Sequence, residues 1–227
     1  MRTSFWTRLF DLVAPRTCAV CGRRLSPTQS AVCTVCHLHM PMTWFARNPY
    51  NNDMAKMFWG LIPVEKAAAL FYYEPQSEVS KLIYNLKYNG HAQLGEAMGR
   101  IAARQFASDG FFDDIDGIVP IPITRRRRWK RGYNQSLMIA RGISDVTHLR
   151  IYDDVVKRIA FSGSQTDKHR WQRQQNVADV FRLTSAEEIR GKHLLLVDDI
   201  VTTGSTIISC ATQLLQAGDV HFSIMSL

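Results

Sequence analysis

The stretch Leu194-Leu195-Leu196-Val197-Asp198-Asp199-Ile200-Val201-Thr202-Thr203-Gly204-Ser205-Thr206 decides the fold of this chain. Its first residues continue the apolar run that begins at His193, which has the length and composition of a buried strand. Two carboxylates end the run, and a turn with one glycine then leads into an apolar stripe of helical spacing that ends at Gly218. Strand, turn and helix in this order predict one unit of an α/β fold.

The turn carries groups that bind phosphate. Gly204 permits a tight bend, and hydroxyls and amide N–H groups at the start of a helix converge on an anion that the helix dipole also favours. We therefore expect a monophosphate to be held by Thr202, Thr203, Gly204, Ser205 and Thr206.

The paired acids Asp198 and Asp199 follow the predicted strand at the end where open α/β sheets bind their ligands. Carboxylates in this place can accept hydrogen bonds from the vicinal hydroxyls of a ribose. Any one of these residues also fits a strand that merely ends in a polar turn with Thr202 as the helix N-cap. The whole stretch together favours a ribose phosphate as the ligand.

Strands and helices alternate along the main part of the chain, which favours a parallel sheet flanked by helices. The segment Phe161 to Gln175 is instead polar and basic without periodicity, which predicts a long mobile loop. The apolar patterns predict strands at 67–73, 116–123, 193–197 and 220–225 and helices at 78–88, 94–106 and, after Asn134, 137–143.

Cysteines concentrate near the amino terminus. The pairs Cys18-x2-Cys21 and Cys33-x2-Cys36 are separated by eleven residues, a pattern typical of a closed structural zinc site with four thiolates. Two disulfides or a redox dithiol are the alternatives, but disulfides are rare in cytosolic proteins. The change in composition after this cluster predicts a small zinc module at 1–60 and a main domain at 61–227.

The net charge of +8 and pI near 9.4 indicate an anionic partner. One basic segment also carries Trp129 and Tyr133, a mixture that suits the phosphates and bases of single-stranded DNA. A solvated basic loop that attracts one pyrophosphate, with Trp129 packed beneath it, explains the same residues equally well. The cations of this segment are Arg125, Arg126, Arg127, Arg128, Lys130 and Arg131, and a second group comprises Lys168, His169, Arg170 and Arg173.

The first fifteen residues are rich in apolar side chains, but Arg8 and Asp11 interrupt them. This pattern predicts a short amphipathic helix and not the core of a signal peptide. No later window reaches the roughly 18 uninterrupted apolar residues of a membrane span. We therefore expect a cytoplasmic protein without membrane insertion.

The long stretch resembles the phosphoribosyl-pyrophosphate signature of type I phosphoribosyltransferases, and the chain as a whole is similar to the ComF family within that superfamily. The similarity covers nearly the whole chain. It also rests on Val119-Pro120-Ile121-Pro122, Arg131-Gly132-Tyr133-Asn134-Gln135, Arg173 with Asn176, Phe181 and the amino-terminal cysteines.

The resemblance implies that 5-phosphoribosyl 1-pyrophosphate (PRPP) is the ligand and that Asp198 and Asp199 are the binding and catalytic acids. It implies a pyrophosphate loop at 122–126, with Thr124, Arg125 and Arg126 at the phosphates, and a closing loop at 161–176. Mg²⁺ would arrive with the pyrophosphate, because it prefers oxygen ligands and keeps its waters. Catalysis would depend on positioning and on electrostatic stabilisation of a ribosyl cation.

The ComF family is associated with natural transformation, in which single-stranded DNA enters the cytoplasm beside a helicase partner, and this role comes by analogy alone. Three functions stay open: an enzyme that transfers phosphoribose, a non-catalytic DNA-handling protein, and a regulator that senses PRPP. The acceptor base would lie under a hood at 65–112, with Tyr84, Lys87 and Tyr88 as candidates. Tyr84 and Tyr88 also fit a plain surface pair one helical turn apart.

Overall fold

The computed structural model describes residues 16–88, 90–159 and 181–227. In this part of the chain, parallel strands form a central sheet in the order β1-β7-β6-β2-β3, so the predicted α/β class is confirmed. A separate antiparallel pair joins β4 to β5. The strands are β1 (Val64–Ala69), β2 (Gly117–Pro120), β3 (Arg150–Ile151), β4 (Val156–Arg158), β5 (Phe181–Leu183), β6 (His193–Asp198) and β7 (His221–Ser226).

Most helices follow the apolar periodicity of the sequence. The helices predicted at 78–88, 94–106 and 137–143 are confirmed, with ends that differ by at most four residues. Short 3₁₀ helices cover Phe45–Arg47 and Leu215–Ala217. The α-helices are α1 (Thr34–His39), α2 (Asp53–Lys56), α3 (Glu78–Tyr88), α4 (Ala92–Ala107), α5 (Arg125–Arg131), α6 (Gln135–Thr147) and α7 (Ser205–Leu214).

The predicted strand β6 lies in the middle of the sheet and is buried on both faces. Successive side chains of a strand point to opposite faces. Accordingly, Leu195 and Val197 belong to the core that also contains α3, α4 and α6, whereas Leu194 and Leu196 belong to the core that contains α2 and α7. The continuous apolar run in the sequence is therefore the signature of a strand covered twice.

Helices α4 and α6 contact each other through glycine. A Cβ atom built on Gly142 would lie 2.0 Å from the backbone oxygen of Glu96, and one on Gly99 would lie 2.2 Å from that of Ile139. Both distances are far below van der Waals contact, so the two helices approach as closely as their backbones allow. This packing fixes α6 against α4.

The first strand differs from its prediction, because it spans 64–69 instead of 67–73. The N–H of Leu70 still donates to Ser226 of β7, but that of Tyr72 donates to the oxygen of Pro41. Phe71 forms an antiparallel bridge with Met42. The extended chain thus leaves the sheet after Ala69 and pairs with the segment that follows the cysteine cluster.

The amino-terminal segment shares its core with the main sheet. Cys18, Leu25 and Val32 belong to the same buried cluster as Leu82 and Leu86 of α3. The side-chain amide of Asn85, also on α3, donates to the carbonyl of Ala19. The position of α3 is therefore tied to the cysteine cluster.

The predicted helix within residues 1–15, the predicted loop at 161–176 and the second basic group, Lys168 to Arg173, lie outside the described residues. None of the helices in the described ranges combines the length and apolar character needed to cross a membrane.

Candidate functional site: an acidic pair beside an anion loop

Asp198 ends the central strand β6, where two hydrogen bonds hold one oxygen of its carboxylate. Oδ1 accepts from Ser136 Oγ at 3.1 Å and from the backbone N–H of Asp199 at 2.9 Å. Ser136 lies in the first turn of α6, whose N-cap Asn134 accepts the Ser136 N–H and donates to the carbonyl of Ile121. Asn134 thereby joins the chain after β2 to α6 and places Ser136 on the acidic pair.

Asp199 is nearly buried and forms an ion pair with Lys87. The Lys87 Nζ lies 3.0 Å from Asp199 Oδ1, and the two side chains are 21% and 12% exposed. Lys87 belongs to the last turn of α3, so the predicted hood region reaches the predicted ribose-binding acids directly. A ligand hydroxyl that donates to Asp199 must share this carboxylate with Lys87 or replace it.

Burial and, after it, the neighbouring charge of Asp199 raise the pKa of Asp198, while the Asp199 N–H, Ser136 and Lys87 lower it, and the net result is a pKa of about 7. Near neutral pH, both the protonated and the ionised form of Asp198 are therefore populated. Two adjacent acids with different environments are a common feature of functional sites, although structural networks show it as well.

Residues 202–206, the predicted anion loop, form an open turn after the acidic pair. Gly204 is the N-cap of α7 with a left-handed φ of 70°, so Thr202 is not the cap that the alternative interpretation required. The hydroxyls of Thr203 and Ser205 lie 3.1 Å apart, and both residues are exposed. A concavity of about 30 Å³ is lined by residues 200–207 and Asp198. The predicted residues Thr202, Thr203, Gly204, Ser205 and Thr206 therefore surround one small space.

The basic segment forms a helix, and not the solvated loop that one of the two interpretations of its sequence assumed. Thr124 is the N-cap of α5, where its Oγ1 accepts from the Arg127 N–H, and Gly132 ends the helix with a φ of 81°. All residues of α5 are at least partly exposed, and Trp129 is 89% exposed. Trp129 therefore does not pack beneath the segment. Arg125 and Arg126, which were assigned to the pyrophosphate loop, occupy the first turn of this helix.

Arg158 of β4 lies near enough to the basic helix and to the acidic pair for the charges of both to act on it, and no motif in the sequence marks this residue. Burial lowers the pKa of Arg158, the charge of Arg127 lowers it further, and the charge of Asp198 opposes both. The half-buried guanidinium also lies over the ring of Phe181, at 5.1 Å from the ring centroid. Together with Arg125 and Arg128, Arg158 lines a cavity of about 340 Å³ beside the predicted pyrophosphate loop.

The two tyrosines of α3 form a surface pair and also line a cleft. The rings of Tyr84 and Tyr88 pack together with centroids 4.9 Å apart, as a surface pair would. Both also line a cleft of about 680 Å³, together with Lys87 and Ile200. The cleft therefore reaches the residue that follows the acidic pair.

The four predicted metal ligands lie together. The Sγ atoms of Cys18, Cys21, Cys33 and Cys36 are all within 4.8 Å of one another, so the cluster could hold a metal ion. A zinc ion bonded to four sulfurs at about 2.3 Å would separate them by about 3.8 Å. The distance from Cys21 Sγ to Cys33 Sγ is 3.8 Å. The backbone N–H of Cys33 also donates to Cys18 Sγ at 3.3 Å, which stabilises a thiolate.

Comparison with known proteins identifies the domain that carries the acidic pair and the anion loop. A family model described as the phosphoribosyl transferase domain matches residues 134–224, from the N-cap of α6 into β7. The chain contains a phosphoribosyl transferase domain. The match includes Ser136, both acids and the whole anion loop, whereas α5 and the cysteine cluster precede it.

Similar proteins cover most of the chain around this phosphoribosyl transferase domain. The DNA utilization protein YhgH of Escherichia coli K12 is 28% identical over 209 residues, 88% of this chain and 85% of that protein. Competence protein F of Haemophilus influenzae is 25% identical, with 84% and 86% covered. Competence protein ComFC of Bacillus subtilis is 22% identical, with 94% and 84% covered. The resemblance to the ComF family is thereby confirmed.

Proposed function

We propose that this chain binds PRPP as a phosphoribosyltransferase-like protein that serves DNA uptake or utilisation. The observation that carries the proposal is the succession of Asp198, Asp199 and an open anion loop at the end of the central parallel strand. In this proposal the acids hold the ribose hydroxyls, and residues 202–206 hold the 5′-phosphate. The names of the relatives support the connection with DNA.

The cationic groups beside the acids suit the diphosphate of PRPP. Thr124, Arg125 and Arg126 of the predicted pyrophosphate loop form the N-cap and first turn of α5, and Arg158 lines a cavity with Arg125 and interacts electrostatically with Asp198. Mg²⁺ would bind mainly through the diphosphate oxygens and supply positive charge there. If transfer occurs, the two carboxylates stabilise the positive charge that develops on the ribose.

Calorimetric titration with PRPP and Mg²⁺ tests this proposal. We expect Asp198→Asn and Asp199→Asn each to weaken binding about tenfold or more, because each removes charge-assisted hydrogen bonds. Asp109→Asn, on an exposed aspartate beyond the end of α4, is the matched control. A folded wild-type protein that does not bind PRPP would refute the proposal. Incubation with PRPP and a nucleobase then distinguishes two functions: an enzyme releases pyrophosphate, whereas a metabolite-sensing regulator binds PRPP without releasing it.

A second candidate function, binding of single-stranded DNA, is favoured by the exposure of α5. A helix with six cations, of which only Arg131 is partly buried, and with an 89% exposed tryptophan contributes little to the core. Such a surface can neutralise phosphates and stack on a base. We expect the triple change Arg127→Ala, Arg128→Ala and Lys130→Ala to weaken binding and to reduce its salt dependence. Arg104→Ala, an exposed cation on α4, should change neither.

We also propose that the metal of the cysteine cluster is zinc in a closed, structural site, within a module at 1–60 that precedes the phosphoribosyl transferase domain at 61–227. Four thiolates leave no open position for water, which is typical of structural zinc. By analogy with the competence relatives, the protein would act in the cytoplasm on incoming single strands, beside a helicase. Mass spectrometry under native conditions identifies the metal directly.

A further inference from the structure

The cleft along α3 lies outside the ribose-phosphate site but ends against it. Lys87 lines the cleft and also pairs with Asp199 at 3.0 Å, and Ile200 lines the same cleft from the other side. Its volume of about 680 Å³ is within the range of roughly 300 to 1,000 Å³ that ligand sites occupy.

Exposed aromatic rings give the cleft its chemical character. Tyr84 is 58% exposed, Tyr88 is 53% exposed and Tyr73 is 45% exposed. Single exposed aromatic residues are ordinary on a protein surface. Three in one concave space, with Lys81 and Lys87 beside them, form the combination of rings and cations that stacks nucleobases and attracts phosphates.

Two contacts join this cleft to the basic helix α5. The guanidinium of Arg131 lies 5.5 Å from the ring centroid of Tyr88. The hydroxyl of Tyr133 donates to the carbonyl of Leu86 at 2.6 Å, which fixes the chain after α5 against the last turn of α3. The cations of α5 and the rings of α3 therefore form one continuous surface, complementary to the charged backbone and the bases of a single strand.

We propose that the α3 cleft binds a base of a single-stranded nucleic acid whose phosphates lie along α5, with Tyr84 and Tyr88 as the stacking platform. This inference rests on the strand-binding role of α5 proposed above and adds the place where bases are held. Because Lys87 borders both sites, the bound base lies next to the acidic pair, and the strand and PRPP occupy adjoining parts of one surface.

Fluorescence anisotropy with a labelled oligothymidylate and with an abasic strand of equal length tests the proposal. Tyr84→Leu and Tyr88→Leu should each weaken binding of the oligothymidylate about tenfold, since stacking on one aromatic ring typically has this effect. Binding of the abasic strand should stay unchanged, because its phosphates still contact α5. Tyr50→Leu, at a tyrosine that is 59% exposed and lies before α2, should alter neither affinity.

Three results would overturn the proposal. In the first, both variants bind oligothymidylate with the affinity of the wild type. In the second, their affinity for the abasic strand falls as much as their affinity for oligothymidylate. Free thymidine could also bind as tightly as the strand, which would assign the cleft to a free base or nucleoside. Titration of the same variants with PRPP is expected to give the wild-type affinity, and it keeps this test separate from that of the acidic pair.

Discussion

At the scale of single residues, Asp198 links the chemistry of the site to the stability of the fold. Its pKa of about 7 in the folded protein lies above the usual value of about 3.9, because burial and the charge of Asp199 disfavour ionisation. Between these two pH values the folded state holds a proton that the unfolded state has released. The contribution of Asp198 to the unfolding free energy is therefore present below about pH 4 and is lost as the pH rises through 7.

Replacement of Asp198 by asparagine should remove this dependence. The amide oxygen can still accept from Ser136 and from the Asp199 N–H, so we expect the variant to be more stable than wild type at pH 8, by on the order of 1 kcal/mol. The difference should shrink towards pH 5. Urea unfolding at both pH values measures it, with Asp109→Asn as the control. A difference of the same size at both pH values would contradict this account.

Glycine is required at position 204 for two reasons, the backbone conformation and the space beside Phe58. Its φ of 70° is unfavourable for other residues, and a Cβ would lie 2.7 Å from Cε1 of the buried Phe58. We expect Gly204→Ala to lower the unfolding free energy by about 2 to 4 kcal/mol and to weaken phosphate binding. Gly191 has a nearly identical φ of 69° with nothing within 4 Å of an added Cβ.

Gly191→Ala therefore isolates the cost of the backbone strain, which should be about 1 kcal/mol. The difference between the two variants, measured by urea unfolding, reports the contact with Phe58. Equal destabilisation by both changes would show that this contact has no effect. Calorimetry with PRPP then tests whether the displaced loop still binds.

At the scale of elements, the sequence predicts those whose side chains are buried in a regular pattern. The strand β6 and the helix α3 appear where the apolar residues indicate them, because burial imposes the periodicity. The helix α5 has no such pattern, since none of its residues is buried. Its capping residues Thr124 and Gly132 were the only local signal of a helix, and the arginine run concealed it.

The residues of the candidate site likewise fall into those that the sequence predicts and those that it does not. Asp198, Asp199 and the anion loop are contiguous, so one stretch of sequence was enough to bring them together. Ser136, Lys87 and Arg158 come from three other elements, and only the tertiary packing brings the first two into contact with the acids and the third within electrostatic range of Asp198. Nothing in the sequence around a serine, a lysine or an arginine shows that it will interact with such a distant partner.

At the contact between α4 and α6, helix propensity and packing predict opposite effects of one substitution on the free energy of unfolding. Alanine favours a helix over glycine by about 1 kcal/mol, so propensity alone predicts that Gly142→Ala stabilises the protein. The added Cβ would lie 2.0 Å from a backbone oxygen, which cannot yield as a side chain can. We expect a net loss of about 3 kcal/mol or more.

Urea unfolding of Gly142→Ala measures this balance, and Arg141→Ala, at an exposed neighbour on the same helix, is the control. Because α6 carries Ser136, we also expect weaker binding of PRPP by the variant. A stabilised variant would mean that the two helices separate easily and that their close contact does not position the site.

At the scale of the whole molecule, the cysteine cluster and the acidic pair are connected through α3. One end of the connection is the shared core, which contains Leu82 and Leu86 as well as Cys18, Cys33 and Cys36, together with the hydrogen bond from the Asn85 side chain to the Ala19 carbonyl. The other end is the ion pair between Lys87 and Asp199. A metal that orders the cluster therefore also restricts the helix that carries Lys87 and the two tyrosines.

Removal of the metal should accordingly loosen α3 before it affects the far side of the sheet. We expect Cys33→Ser to lose the metal, to lower the unfolding free energy by at least about 2 kcal/mol, and to speed amide hydrogen exchange across 78–88 more than across 205–214. Cys210→Ala is the control, because Cys210 is buried on α7 in the opposite core. It should keep the metal and leave exchange in α3 unchanged. Loss of the metal without faster exchange in α3 would show that the cluster folds independently of the site, since the shared core would then transmit nothing to Lys87.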